Sequence, residues 1–374
     1  MKKVIVLGAG LVGKAIAIDL SKNFQVTAAD INAENLNKLQ AHQSIEKMKI
    51  DLSNLDAVKE IISDYDLVVG ALPSFLGYQT LEAVIESGKN IVDISFLSED
   101  PFELDQLAKE RNVIAVVDCG VAPGMSNMIL GHHNHKMKVE KFDCMVGGLP
   151  VVRSWPYKYK APFSPIDVLE EYTRPARIVE NGNVVTKPAL SELETVEFDR
   201  IGSLEAFNTD GLRTLLKTMK IPFMRERTLR YPGHAELMKI LSETGFFNKE
   251  PINVNGQVIV PIELTAKLLF PKWKLKDGEE EFTVMRVEIE GMENGEKKRY
   301  VYDLFDQYDK ATQTSSMART TGYTCSAVVN LILNNEFTPK GISPPEFVGA
   351  DERCFKNVME YLKARYVEYL PSQT

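Results

Sequence analysis

The chain is poor in cysteine and in positive charge, and it has no long unbroken apolar run. Its four cysteines, Cys119, Cys144, Cys325 and Cys354, are widely scattered and form no CxxC pair. That spacing excludes a cysteine-based zinc site and a disulfide framework, and leaves buried free thiols as the expectation. Lys and Arg number 44 against 52 Asp and Glu, a net charge of −8. Nucleic acid and anionic membrane surfaces need a positive footprint, so neither is expected as a partner. No segment approaches the roughly 18 consecutive apolar residues of a membrane span. The N-terminal apolar run is interrupted by glycines before it could serve as a signal peptide. These absences predict a cytoplasmic protein. Histidine is scarce too, and His132, His133 and His135 crowd together. With no cysteine or acid at ligand spacing they read as a solvated helix end, and no metal is expected.

What is present begins at the N-terminus, in KKVIVLGAGLVGKAIAIDLSKNFQVTAADIN. Four apolar residues, Val4 to Leu7, run into Gly8, Gly10 and Gly13, an amphipathic helix follows, and a second apolar strand ends at Asp30. Gly8 permits the tight strand-to-helix turn, Gly10 lets a pyrophosphate approach the unpaired N–H groups of the helix start, and Gly13 lets helix and strand pack closely. Asp30, about 20 residues on, is placed to accept hydrogen bonds from ribose hydroxyls. Strand, glycines, helix and acid together predict dinucleotide binding. A 2′-phosphate would face the Asp30 carboxylate, and the following Ile31 and Asn32 bring no cation, so NAD is expected over NADP.

At 374 residues the chain is too long for one core and long enough for two domains. Strand-like and helix-like segments alternate through residues 47–118, with near-continuous apolar strands, which predicts a doubly wound parallel sheet covered on both faces. After the VDCGVAPGMSN segment the texture changes to short strands between turn-rich clusters at 153–165, 174–190 and 249–260, with a long hairpin around Glu293 to Gly295. From Met317 an apolar helix pattern returns, expected to cover the first domain. The expectation is an α/β chain: a Rossmann-type domain at 1–122 completed by helices within 317–374, and an α+β domain at 123–316 on an open mixed or antiparallel sheet. Such a sheet leaves a face for a partner, so a homodimer is expected. No internal repeat stands out.

The strand ends nominate further contacts. Within the glycine turn, Ala9, Leu11 and Val12 join the three glycines; Ile31, next to Asp30, and Asp51 are further cofactor candidates. The GALPS strand end brings Ala71, Leu72, Pro73 and Ser74 beside the nicotinamide ribose, and Asp93, Ser95 and Val121 belong to the same crevice at the carboxyl ends of the strands.

Several ordered blocks resemble one family: GAGLVG, GALPSFLG, VVDCGVAPGMSN, VGGLP, EEYTRPAR, PALSELE, EAFNTDGLRTL, LRYPGHAE and MARTTGYTCSA. Together they resemble the saccharopine dehydrogenase-like oxidoreductases, and within them the L-lysine 6-dehydrogenase branch. The resemblance covers nearly the whole chain. It implies a Rossmann domain completed by C-terminal helices, a central substrate and dimerisation domain, and oxidation of a carbon bearing an amine nitrogen. The lysine branch takes the ε-amine of lysine to α-aminoadipate semialdehyde, which cyclises to Δ1-piperideine-6-carboxylate, with release of ammonia. Glutamate-forming saccharopine reductases tend to carry a cysteine directly before the GGLP glycines and an acid in their GLDPG turn; this chain has Val146 and Ala122 there. That departure favours a smaller amine. The other readings are a saccharopine or related secondary-amine dehydrogenase and an NAD-binding sensor or scaffold.

Hydride leaves only a neutral amine, yet a lysine amine has an ordinary pKa of about 10.4, so the site must desolvate it or supply a base. His234, before an amphipathic helix, is the first candidate for that base, or for a ligand of the substrate carboxylate. Asp118, at a strand end, is the second; it could equally cap its turn. An α-carboxylate suits the planar fork of arginine, and Arg213 and Arg174 are the candidates, with Arg230 behind them. Asn208, Thr209 and Asp210 form a polar run able to meet an α-ammonium.

Overall fold

The computed structural model describes residues 1–162, 165–276 and 278–373. Phe163 and Ser164 of the turn-rich stretch 153–165, and Thr374 at the end of the expected C-terminal segment, lie outside the described residues. Two compact units emerge: Met1–Met137 with Met317–Tyr369, and Lys138–Ser316 with the segment from Leu370 onward.

In chain order the strands of the first unit are β1 (Lys3–Leu7), β2 (Gln25–Asp30), β3 (Ile45–Lys49), β4 (Leu67–Gly70), β5 (Asn90–Asp93) and β6 (Ile114–Val116). Those of the second are β7 (Lys138–Pro150), β8 (Ala176–Glu180), β9 (Asn183–Lys187), β10 (Glu194–Phe198), β11 (Gly202–Thr209), β12 (Phe223–Arg230), β13 (Ile252–Val254), β14 (Gln257–Ile259), β15 (Glu281–Glu293) and β16 (Glu296–Gln307). β17 (Gly341–Ser343) returns to the first sheet and β18 (Tyr369–Gln373) to the edge of the second.

The first sheet has seven strands in the order β17-β6-β5-β4-β1-β2-β3, every pairing parallel. Val4 to Leu7 are fully buried because helices cover both faces, which explains why this strand reads as an unbroken apolar run. Strand order reverses between β1 and β4, where a doubly wound sheet opens its ligand crevice. Two details differ from expectation. β3 starts at Ile45, earlier than the apolar pattern at 47–50, because it is an edge strand in which only Ile45 is buried and Glu46, Lys47 and Lys49 are exposed. The strand ending near Asp118, expected from the alternation through residues 47–118 to be the last of the sheet, is not its edge: β17, a three-residue strand, flanks β6.

The second sheet has nine strands, along the path β10-β11-β12-β7-β15-β16-β18 with β8 and β9 branching from β12. β10–β11, β11–β12, β12–β8, β8–β9, β7–β15 and β15–β16 pair antiparallel, and β12 runs parallel to β7. β15 and β16 pair from Phe282 with Gln307 to Glu293 with Glu296. Their turn is Asn294 and Gly295, both at positive φ (52° and 84°), the conformation that matches the twist of a tight hairpin. The core of this unit gathers Met145, Leu149, Phe207, Leu229, Val284 and the fully buried Trp273. The other tryptophan, Trp155, is 88% exposed. β13 and β14 form a separate two-stranded ribbon.

Candidate active site

In the first unit the glycine turn is shaped by what surrounds it. Gly8 has φ +100°, and a side chain there would run into the carbonyl of Ala71, the residue after β4; a side chain at Gly13 would meet the carbonyl of Gly8. Gly10 instead faces open space, with nothing within 4 Å of where a Cβ would stand. It is the N-cap of the helix Leu11–Leu20, whose first turn has no side-chain cap and no acid. Unpaired N–H groups therefore face open space at the switch point, the arrangement a pyrophosphate requires.

Asp30 ends β2 beside this turn. Its carboxylate accepts from Ala9 N–H at 2.7 Å, from Asn32 N–H at 2.7 Å and from the Asn35 side-chain amide at 3.1 Å. Ile31 is 59% exposed. Asp51 accepts from the Ser53 N–H and hydroxyl, which hold its carboxyl below the usual range. Ala71 donates to the carbonyl of Leu7 at 2.9 Å, and Leu72 lies 3.4 Å from where a Cβ of Gly8 would be. Pro73 precedes the helix Ser74–Glu86, which also starts without a side-chain cap. Asp93 closes β5 and accepts from Ser95 N–H at 2.7 Å and Ser95 Oγ at 3.2 Å. The Cys119 N–H bonds the Asp93 carbonyl at 3.0 Å, which sets Asp118 next to this strand end. Asp118 is buried at φ +52°, and Val121 accepts from Ser126 N–H at 3.1 Å. The groups meet the dinucleotide's needs: open N–H groups, a space without side chains, and an acid for a ribose.

In the second unit β12 ends at Arg230, and a turn through Gly233 (φ +90°) starts the helix His234–Glu243. His234 is buried. Its Nδ1 lies 2.7 Å from the Tyr157 carbonyl, which can only accept, so Nδ1 carries the proton. Nε2, 2.9 Å from Tyr172 Oη, is then the acceptor of the tyrosine hydroxyl. Tyr172 Oη in turn accepts from Arg230 Nε at 3.0 Å. Arg230 pairs with Glu171 Oε2 at 2.5 Å and lies over the Tyr159 ring, 4.5 Å from its centroid. Trp273 packs edge-on against Tyr157, Tyr159 and Tyr172, and its buried Nε1 has no hydrogen-bond partner. Burial, and then the charge of Arg230, depress the His234 pKa to about 3. Burial also pushes the Tyr159 and Tyr172 hydroxyls far above their ordinary value. The imidazole is neutral, and proton polarity runs one way, from Arg230 through Tyr172 to His234.

The remaining substrate candidates take partners outside this relay. Arg174 pairs with Glu170 at 3.3 Å. Asp210 is clasped by Arg177 through Nε and Nη2, both at 2.8 Å. Asn208 Nδ2 donates to Glu192 at 2.9 Å, while its Oδ1 is buried without a partner. Thr209 accepts from the Thr228 hydroxyl at 3.1 Å. Arg213 sits at φ +50° before the helix Leu215–Thr218. His234 and Asp118 belong to different units. Sequence reasoning missed Tyr159, Tyr172, Glu171 and Trp273. Glu171 and Tyr172 lie inside the EEYTRPAR block, so an acid beside a tyrosine in that block was the available signal. Among the described residues no helix is long and apolar enough to cross a membrane, and no group of three His, Cys, Asp or Glu is placed to hold a metal. His132 stacks on Phe355 at 4.1 Å, and burial lowers its pKa and that of His133 to about 4.

A seven-stranded parallel sheet with an open glycine turn and a strand-end acid defines a nicotinamide dinucleotide-binding protein. The chain belongs to the saccharopine dehydrogenase family: residues 4–116 match the saccharopine dehydrogenase NADP binding domain and residues 120–367 the saccharopine dehydrogenase C-terminal domain. Saccharopine dehydrogenase (L-Glu forming) from Saccharomyces cerevisiae shares the fold across 100% of both chains, with a TM-score of 0.81 at 18% identity. Saccharopine dehydrogenase [NADP(+), L-glutamate-forming] from Pyricularia oryzae is 26% identical over 72% of this chain and 63% of its own length. The mitochondrial alpha-aminoadipic semialdehyde synthase of Mus musculus is 25% identical over 67% of this chain. The chain spans only 29% of that relative's length.

Proposed function

We propose that the protein is an NAD-dependent amino-acid dehydrogenase that oxidises the ε-amine of L-lysine. Lysine, NAD⁺ and water give α-aminoadipate semialdehyde, ammonia, NADH and a proton, and the semialdehyde cyclises to Δ1-piperideine-6-carboxylate. The observation that carries the choice of a small amine is the state of the arginines in the second unit. Arg174, Arg177, Arg225, Arg227 and Arg230 each already hold a carboxylate of the chain, at 3.3, 2.8, 2.7, 2.5 and 2.5 Å. Engaged in this way they are five forks fewer for a substrate with an added dicarboxylate arm, whereas lysine, with one carboxylate, needs a single fork.

The dinucleotide, when bound, supplies the hydride acceptor. The glycine turn and Asp30 hold it, and Ala71 to Ser74, Asp93, Ser95 and Val121 line the strand ends beside it. The ε-ammonium must lose a proton before reacting, and we assign its acceptor to the carboxylate of Asp118, just past the carboxyl end of β6, the side of such a sheet where ligands collect. His234, neutral from about pH 3 upward, fixes the Tyr172 hydroxyl and through it the Arg230 guanidinium. Arg213 is assigned to the α-carboxylate, since Arg174 is engaged by Glu170, and Asn208 Oδ1 and Thr209 to the α-ammonium, since Asp210 is engaged by Arg177. Four buried free cysteines fit a reducing cytoplasm. Ile252, Val254 and Val258 on the exposed ribbon fit burial in a homodimer.

Oxidation of saccharopine is the second reading, favoured by the name of the Pyricularia relative. One experiment separates the readings: NADH formation from lysine, saccharopine and ornithine by the wild type and by Asp118→Asn. Lysine turnover that falls about 10²-fold in D118N supports the proposal. Saccharopine turnover with lysine inert overturns the substrate, and cofactor binding without turnover of any amine points to a sensor.

A further inference from the structure

Asp30 is gripped from three sides, and only one grip comes from a side chain. Oδ2 accepts Ala9 N–H at 2.7 Å and Asn35 Nδ2 at 3.1 Å, and Oδ1 accepts Asn32 N–H at 2.7 Å. Each carboxylate oxygen has about two acceptor sites, so Oδ2 is filled and Oδ1 keeps one. Ala9 and Asn32 act through main-chain N–H groups that almost any residue would supply. Asn35 acts through its amide, from the first turn of the short helix Ala33–Asn37, whose N-cap Asn32 accepts the Glu34 N–H through its own side chain.

We propose that Asn35 is a specificity residue for the dinucleotide, acting through Asp30 as a latch on its rotamer. The inference rests on the reading of NAD as cofactor. A 2′-phosphate can be admitted only if the Asp30 carboxylate swings aside, because two anions in contact repel. Swinging aside breaks three hydrogen bonds to an ionised acceptor, and hydrogen bonds to charged groups are the strong ones. Without the Asn35 amide it breaks two. The latch therefore sets how firmly this chain rejects a phosphorylated ribose, within a family domain described by its binding of NADP. Accepting a ribose hydroxyl uses the remaining site on Oδ1, which Asn35 does not occupy, so affinity for the unphosphorylated ligand depends on it much less.

The test titrates ADP-ribose and 2′-phospho-ADP-ribose calorimetrically into the full chain, with no turnover involved. Asn35→Ala should bind the 2′-phosphorylated ligand about tenfold more tightly than wild type, with ADP-ribose affinity nearly constant. In an Asp30→Ala background the same change should have no further effect, since the latch has nothing left to hold. An unchanged ratio in N35A, or an equal change in the Asp30→Ala background, overturns the role of Asn35 while leaving the choice of NAD intact. Wild type that binds the 2′-phosphorylated ligand as well as ADP-ribose overturns both. Ala is the better helix former, so N35A should fold; Asn35→Leu repeats the removal of the donor with a different side chain.

Discussion

In the first unit the groups offered to a dinucleotide are main-chain N–H groups left open by glycine and the Asp30 carboxylate, whereas in the second Arg174, Arg177, Arg225, Arg227 and Arg230 are already bound to carboxylates of the chain. The contrast is between a site defined by absence of side chains and one defined by their mutual compensation. Gly10 works because nothing stands beside it. Arg230 works through the Glu171, Tyr172 and Tyr159 it touches, and Arg227 is likewise held by Asp143 and Glu194. Open main-chain groups give affinity for one fixed chemical moiety, a pyrophosphate. Compensated side chains give rigidity, and they leave few charges available to choose a substrate.

The sharpest way to break the comparison is to remove a compensating charge. Arg230→Leu leaves the Glu171 carboxylate and the Tyr172 hydroxyl without their donor, and should cost about 3 kcal/mol of stability. Urea unfolding followed by circular dichroism checks this; an unchanged midpoint would mean that the pair contributes little and that the second unit is not held by compensation.

Next in size is acid sensitivity. His234 has its pKa depressed to about 3 in the folded protein, so the unfolded chain takes up the proton first as pH falls. The stability that His234 contributes is complete above its ordinary value near 6.5 and is lost progressively as pH falls from there toward 3. Between pH 7 and pH 5 the loss is about 2 kcal/mol, and it should be missing in His234→Gln when both proteins are unfolded at the two pH values. Parallel curves would place the imidazole in a wetter setting than the network describes.

The smallest expected effect lies in the first unit and sharpens the contrast. Asp30→Ser with Asn32→Arg replaces the acid and adds a cation, and should shift the ratio of NAD to NADP affinity by about tenfold or more, about 1.4 kcal/mol for each tenfold step. Equilibrium titration with both dinucleotides reads it. An unmoved ratio would remove Asp30 from the ribose contact.

Legibility follows the same division. The spacing Gly8, Gly10, Gly13 and Asp30 could be read because a dinucleotide dictates it along one short stretch of chain. The hairpin at Asn294 and Gly295 could be read because its turn demands positive φ at both positions. β17 could not, because three residues carry no periodicity, and only its pairing with β6 makes it a strand. The parallel contact of β12 with β7 was equally silent, joining residues such as Arg227 and Met145 that are far apart in the chain. Tyr159, Tyr172, Arg230 and Trp273 meet for the same reason: each lies in a separate segment, and no local pattern announces that they share a core. The strand-end acids fall between these cases, since alternation located Asp93 and Asp118 but not the hydrogen bonds around them.

The burial of Trp273 also makes the chain its own optical probe. The protein contains two tryptophans, one dry and one wet, and both lie in the second unit. Indole emission shifts to shorter wavelength in an apolar cage and is quenched by small solutes only where they can reach it. Acrylamide or iodide should therefore silence Trp155 selectively and leave a blue-shifted signal from Trp273, while the first unit contributes no indole light at all. Melting followed by the residual emission reports on the aromatic cage around Arg230 alone, and its difference from a whole-chain signal shows whether the two units unfold together.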